Sequence, residues 1–295
     1  MLNNLSNEKA FGPSFKDTNL FLLKTLTRKT KMLIFIIPVK SKLVSNSWSN
    51  VSALFERTLR SICNQTSSNF KVIVVCHERP YTSFEHESIK YIEADFSPPD
   101  LHGLADDPTE GRRRKEADHK RKLWLGSVHA ESLNPSHIMF VDADDCISRK
   151  LASHVDKDLE SSGWYISQGF EYPDNGQTIY PKSKFYMKSG TSSIIRYDLL
   201  KPLLAIQPDK IEGTYLSHKL LPSYFQENGS PLTPLPFRGA VYITGHGDNN
   251  FLEYFSNKQK NLPDLMRLYG GRLRKLLVAM SVTQEMQDEF YLQYD

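Results

Sequence analysis

Three short, almost wholly apolar runs limit how this chain can fold. They are Leu33-Ile34-Phe35-Ile36-Ile37, Val72-Ile73-Val74-Val75 and Ile138-Met139-Phe140-Val141. A strand with one wet face alternates apolar and polar side chains, so a strand apolar at every position needs cover on both faces. The longest run, Met32 to Val39, has strand length and falls well short of the roughly 20 apolar residues of a membrane helix. After the first run the period changes. Val51, Leu54, Phe55, Leu59 and Ile62 recur at spacings of three and four, which predicts a helix capped by Ser49 or Asn50. Phe70–Val75 is the second strand and Ile89–Ile92 a shorter third. Strand, helix and strand in alternation predict right-handed crossovers and a mostly parallel sheet with helices on both faces.

The rest of the chain is less regular. Residues 97–111 carry Pro98, Pro99, Gly103, Pro108 and Gly111 and read as loop, and Arg112–Ala130 reads as a basic helix. His137–Val141 is a further buried strand. Ser148 is placed to cap a helix ending near Gly163. Trp164–Phe170 and Gln177–Tyr180 flank Pro173-Asp174-Asn175-Gly176, a hairpin signal. Pro236–Thr244 reads as a strand. These elements predict an extension over 1–31, a main domain over 32–260 and a helical segment over 261–295 with Leu265, Leu268, Leu276 and Leu277. Met32, directly before the first strand, fits a natural start that leaves 1–31 dispensable.

Composition excludes several classes. With 39% hydrophobic and 24% charged residues the chain has material for a core, and a net charge of +3 gives no reason to expect a nucleic-acid partner. Cys63, Cys76 and Cys146 are odd in number and widely spaced, which predicts reduced thiols and a cytoplasmic protein. The apolar and basic stretch Leu20–Lys31 is compatible with peripheral contact at the inner face of a membrane.

The chemistry concentrates in His137–Asp145. In open α/β sheets ligands bind beyond the carboxyl ends of the strands, and Asp142 and Asp144 follow such an end, two residues apart. Side chains at i and i+2 of an extended chain share a side. Two carboxylates so placed suit Mg²⁺ or Mn²⁺ and, through the ion, a diphosphate. The plainer alternative is an acidic turn that caps the next helix.

Ile34–Val39, Val72–Glu78 and Phe140–Asp145, in that order and spacing, resemble the glycosyltransferase type-A superfamily, in particular its family 2-like members, over about residues 32–200. The resemblance implies a Rossmann-like nucleotide-diphospho-sugar transferase fold, a nucleotide-diphospho-sugar donor, a glycan or other hydroxyl acceptor, and Mn²⁺ or Mg²⁺ as cofactor. It implies a catalytic role for the main domain over 32–260, with a nucleotide-binding half, 32–147, and an acceptor half, 148–260. It places Pro38 and Val39 beside the nucleobase, Glu78 on base or ribose, Asp142 on ribose or metal, and Asp144 on the metal. Lys40-Ser41-Lys42 departs from the family's usual signature after the first strand. From the basic helix it draws Arg121 or Lys122 to the diphosphate, with Asp118 orienting the cation. The Arg112–Lys115 run reads as a solvated face.

In several type-A enzymes a C-terminal histidine completes the metal shell, and His246, exposed between Gly245 and Gly247, resembles it; a surface turn is the alternative. Inverting transfer needs a general base. Glu212 is the first candidate, with His218 and Asp209 behind it. Gly190-Thr191-Ser192-Ser193 suits a close approach to donor or acceptor, and Trp164 and Tyr186 suit sugar stacking. The expected activity is an inverting sugar transfer in glycan or polysaccharide synthesis. A nucleotidyltransferase of related fold or a non-catalytic glycan- or partner-binding domain is the alternative; the former usually has glycine in the loop after the first strand, where this chain has none.

Overall fold

The computed structural model describes residues 31–104, 107–174, 176–206, 217–246 and 277–292. All but Lys31 of the 1–31 extension lies outside them.

The apolar runs form the centre of a mixed sheet. β1 (Met32–Pro38) lies between β2 (Phe70–Cys76) and β4 (Pro135–Phe140), parallel to both, with Phe35 opposite Val72 on one side and Met139 on the other. β3 (Ile89–Glu93) extends the parallel set beyond β2. On the far side of β4 come β9 (Ser193–Arg196), antiparallel to it, β6 (Gly163–Tyr165) and the short β10 (Thr233–Pro234), giving the order β10-β6-β9-β4-β1-β2-β3. Alternate β1 side chains divide between two cores. Leu33, Phe35 and Ile37 pack with Val51, Phe55, Leu59 and Ile62 of α1 (Trp48–Cys63). Ile34 and Ile36 pack with Leu123 and Leu125 of α2 (Pro108–Ala130) and Leu200 of α4 (Tyr197–Leu204). The architecture is α/β, with helices on both faces of a largely parallel sheet. Each fully enclosed Ile or Phe contributes about 1.5–3 kcal/mol.

Helix starts differ from the expected ones. Ser47, not Ser49 or Asn50, caps α1 by accepting from the Asn50 amide, and Trp48 is buried. α2 begins four residues before Arg112, since Asp107 caps it and Pro108 fills a first-turn position that needs no N–H donor. The helix expected from Ser148 to Gly163 is only α3 (Leu151–Val155), and Ser148, whose hydroxyl donates to Glu289 and accepts from the Lys150 amide, stands before it rather than at its cap.

A second sheet, in the order β12-β8-β7-β11-β5, holds β5 (Cys146–Ile147), β7 (Gln168–Pro173), β8 (Thr178–Ser183), β11 (Ala240–Thr244) and β12 (Met280–Ser281). β7 and β8 are the expected hairpin, but Trp164 belongs to β6 in the first sheet. Of the expected C-terminal helical segment, the described part forms β12 and α5 (Gln284–Phe290), whose Phe290 packs edge-on to Phe170. Among the described residues no helix is long and apolar enough to cross a membrane.

β4 carries a pH liability. His137 is fully buried against Trp164 (5.2 Å between rings), and its Nε2 lies 3.1 Å from the Ser161 carbonyl. Burial pushes its pKa from 6.5 down to about 4. The fold therefore favours the neutral ring. That contribution is complete above pH 6.5, is lost as pH falls towards 4, and levels off below. In urea unfolding at pH 7.5, 5.5 and 4, His137→Phe should lose less stability over this range than the wild type, by up to about 3 kcal/mol. Parallel losses would refute the assignment.

The chain runs from β1 outwards through β2 and β3, then returns to place β4 on the other side of β1. This reversal opens a crevice beyond the carboxyl ends of β1 and β4.

Candidate functional site

A cavity of about 540 Å³ occupies that crevice. Pro38, Val39 and Lys40 follow β1 into its wall, and Asp142, Ala143 and Asp144 enter just past β4. Lys115, His119 and Lys122, four and three residues apart on α2, share a helix face there. The opposite segments supply Lys188–Gly190 and Ser217–Lys219, and β11 supplies Tyr242 and, two residues past its end, His246.

The acidic triplet divides into three environments. Asp142 accepts from the Gly190 amide at 3.1 Å and lies 3.2 Å from His119 Nε2, while its own amide donates to Thr191 Oγ1. Burial pushes its carboxyl up, but the bond to His119, the positive potential of His119 and His218, and the Gly190 amide outweigh it, so it titrates below the usual carboxylate range. A Cβ at position 190 would stand 2.8 Å from Asp142 Oδ2, which is why glycine suits that approach. Asp145 is wholly buried, accepts from Ser189 Oγ and the Ile243 amide, and is pushed well above its usual range by burial and by repulsion from Asp144 and Asp142. It ties the triplet to the 189 loop and to β11.

Asp144 faces His246. Nε2 of the histidine lies 3.2 Å from Asp144 Oδ2, without the alignment of a hydrogen bond, and neither ring nitrogen has a hydrogen-bond partner among the described residues. The imidazole is not exposed as the sequence suggested: its side chain is 0% accessible. Gly245, at φ +90°, turns the chain out of β11, and Asn50 of α1 holds the His246 carbonyl at 2.8 Å. A buried imidazole beside a carboxylate, with both nitrogens unsatisfied, lacks a partner. Among the described residues no group of three or more His, Cys, Asp or Glu side chains converges as a metal cage. Asp144 and His246 form a pair, and Asp142 is engaged with His119 and Gly190.

Several candidate residues have other duties. Lys122 is buried, with Nζ donating to the Val39 carbonyl at 2.8 Å and to Asp118 Oδ2 at 2.6 Å, and Asp118 Oδ1 lies 2.6 Å from His77 Nε2. Burial lowers the Lys122 pKa against the pull of Asp118. Lys122 and Asp118 thus brace the end of β1 while lining the cavity, and Asp118 orients the Lys122 ammonium as expected. Arg121 stands over the Phe96 ring, outside the cavity wall. Glu78 is also outside it: its carboxylate accepts from Ser41 Oγ and the Lys42 amide and fixes the loop after β1. Trp164 packs between His137 and His154, and Tyr186 against Tyr165, so both serve packing and neither lines the cavity. His218 does line it, with Nδ1 2.6 Å from the Tyr186 carbonyl. Glu212 and Asp209 lie outside the described residues. Sequence reasoning passed over His119, although its spacing from Lys115 and Lys122 marks the face.

No family model matches the sequence, and no curated protein matches it. Among solved structures, the chain is similar to residues 1–349 of Staphylococcus aureus TarS, with 16% identity and a TM-score of 0.41, covering 72% of this chain and 60% of that one. It is also similar to 4-diphosphocytidyl-2C-methyl-D-erythritol synthase from Anaerococcus prevotii DSM 20548 (9%, TM-score 0.36, covering 71% and 87%). A third is a proposed nucleotide-diphospho-sugar transferase from Desulfovibrio desulfuricans G20 (12%, TM-score 0.32, covering 83% and 98%). The chain thus spans 60% of the TarS structure's length.

Proposed function

We propose that the chain is a type-A glycosyltransferase that moves a sugar from a nucleotide-diphospho-sugar to an acceptor hydroxyl with the help of a divalent metal. The carrying observation is the enclosed, unsatisfied His246 imidazole set against Asp144 at the mouth of the β1/β4 crevice. The pair fits a divalent ion, and the imidazole favours Mn²⁺ over Mg²⁺. Such an ion, once bound, supplies positive charge where a leaving diphosphate gathers negative charge. The protein's own part is positioning. Pro38 and Val39 form the wall beside the base, with Val39 fixed through Lys122. Asp142, aimed by Gly190 and His119, faces the sugar-nucleotide. Lys40, Lys115 and Lys120 surround the same cavity with cations. A related nucleotidyltransferase is disfavoured by the glycine-free Lys40-Ser41-Lys42 loop, which Glu78 pins in place. The test is nucleotide release from UDP-, GDP-, CDP- and ADP-sugars with Mn²⁺. One donor should turn over, and chelation should abolish that turnover. No release from any donor would count against the proposal.

For the acceptor proton we favour His218. Donation from Nδ1 to the Tyr186 carbonyl leaves Nε2 bare, and burial lowers its pKa below the ordinary histidine value of 6.5. A base must be unprotonated, so kcat/KM should fall with acid only below pH 6.5. His218→Asn should remove that limb and cost about 10²–10⁴-fold in kcat. An unchanged pH profile in the variant would give the proton to another group.

A further inference from the structure

We infer that the wall of the cavity formed by residues 188–190 and 217–219 recognises an oxyanion, a phosphate or a carboxylate, on the acceptor through Lys188 and Lys219. The inference rests on the transferase reading and names its acceptor class. The two segments are brought together by the bond from His218 to the Tyr186 carbonyl, two residues before Lys188 and one before Lys219. The 188–190 loop is fixed from behind, with Ser189 on Asp145 and Gly190 on Asp142.

Many lysines of this protein have a carboxylate at hand. Lys122 pairs with Asp118, Lys150 with Glu289, Lys182 with Glu171 and Lys201 with Glu131. Lys188 and Lys219 line the cavity and have no such partner among the described residues. The carboxylates that share the cavity are committed elsewhere: Asp142 to His119 and Gly190, Asp118 to His77 and Lys122, Glu116 to Arg112, and Asp144 to the His246 side. A divalent ion already matches the charge of a diphosphate bridge, and Lys40, Lys115 and Lys120 approach the cavity from the β1 and α2 side. Two further ammonium groups beside the candidate base therefore suit a negative charge carried by the acceptor, which they would both attract and orient.

The test uses the full chain saturated with the nucleoside diphosphate it binds and Mg²⁺. Inorganic phosphate, acetate and, as a neutral control, glucose are titrated separately, and binding is followed by NMR of each probe. Phosphate or acetate should bind alongside the nucleotide, and the stronger of the two assigns a phosphorylated or a carboxylated acceptor. Lys188→Ala/Lys219→Ala should weaken that binding about tenfold or more while leaving nucleotide affinity within about twofold. Anion binding undiminished in the variant overturns the inference. So does anion binding that nucleotide displaces, since the lysines would then serve the diphosphate, and so does a response to glucose equal to that of the anions. Absence of nucleotide binding overturns the functional reading instead, and phosphate binding lost in the double variant would still uphold the anion site.

Discussion

His246→Ala is expected to lower metal-dependent donor turnover by about 10²–10³-fold, the scale of removing one preorganised group from charge stabilisation at a leaving oxygen. The fold should survive. The histidine lies at the end of β11 on a glycine turn, and its carbonyl, which Asn50 holds, is untouched by the change. Removing the ring also removes two buried nitrogens that have no hydrogen-bond partner among the described residues, so thermal stability in the absence of metal should hold or rise. The signature is an activity loss with no stability loss, measured as nucleotide release with Mn²⁺ beside a melting curve in chelator. A stable variant with wild-type turnover would show the imidazole to be a spectator.

Lys122→Met should behave in the opposite way and cost about 3–5 kcal/mol of stability. Its ammonium is buried, is bonded to Asp118 at 2.6 Å and holds the Val39 carbonyl at 2.8 Å. Methionine fills the space but leaves the Asp118 carboxylate buried with, among the described residues, His77 as its remaining hydrogen-bond partner. Denaturant unfolding of Lys122→Met, Asp118→Leu and the double variant tests this. The double variant should recover much of the loss, because neither charge remains inside. Additive losses would mean that the two residues act independently.

The legible parts of the fold were those whose burial leaves a local pattern. β1, β2 and β4 are covered on both faces and read as unbroken apolar runs, and α1 shows its one buried stripe at helical spacing. The hairpin of β7 and β8 was marked by its turn residues. β5, β10 and β12 are two residues long and exist only through pairing with distant strands, so nothing local announces them. The change of sheet between Trp164 in β6 and Phe170 in β7 was read as one strand, since both halves are apolar. At the site, the strand-end rule located Asp142 and Asp144, whereas the close approach of Gly190 is to Asp142, a different contact from the expected one to donor or acceptor. On α2 the i, i+4 spacing of Asp118 and Lys122 announced their pairing, but not that both charged side chains would be buried. The backbone of His246 is held by Asn50, 196 residues away, and no short-range signal encodes that contact.

The central claim is that Asp144 and His246 form a metal-dependent nucleotide site in the β1/β4 crevice. Calorimetric titration of UDP, GDP, CDP and ADP, each with and without Mn²⁺, on wild type and Asp144→Asn tests it most directly. The account predicts that one nucleotide binds only with Mn²⁺ and that Asp144→Asn weakens that binding by about 100-fold, roughly 2.7 kcal/mol. Binding that is equal in the two proteins, or indifferent to Mn²⁺, would contradict it.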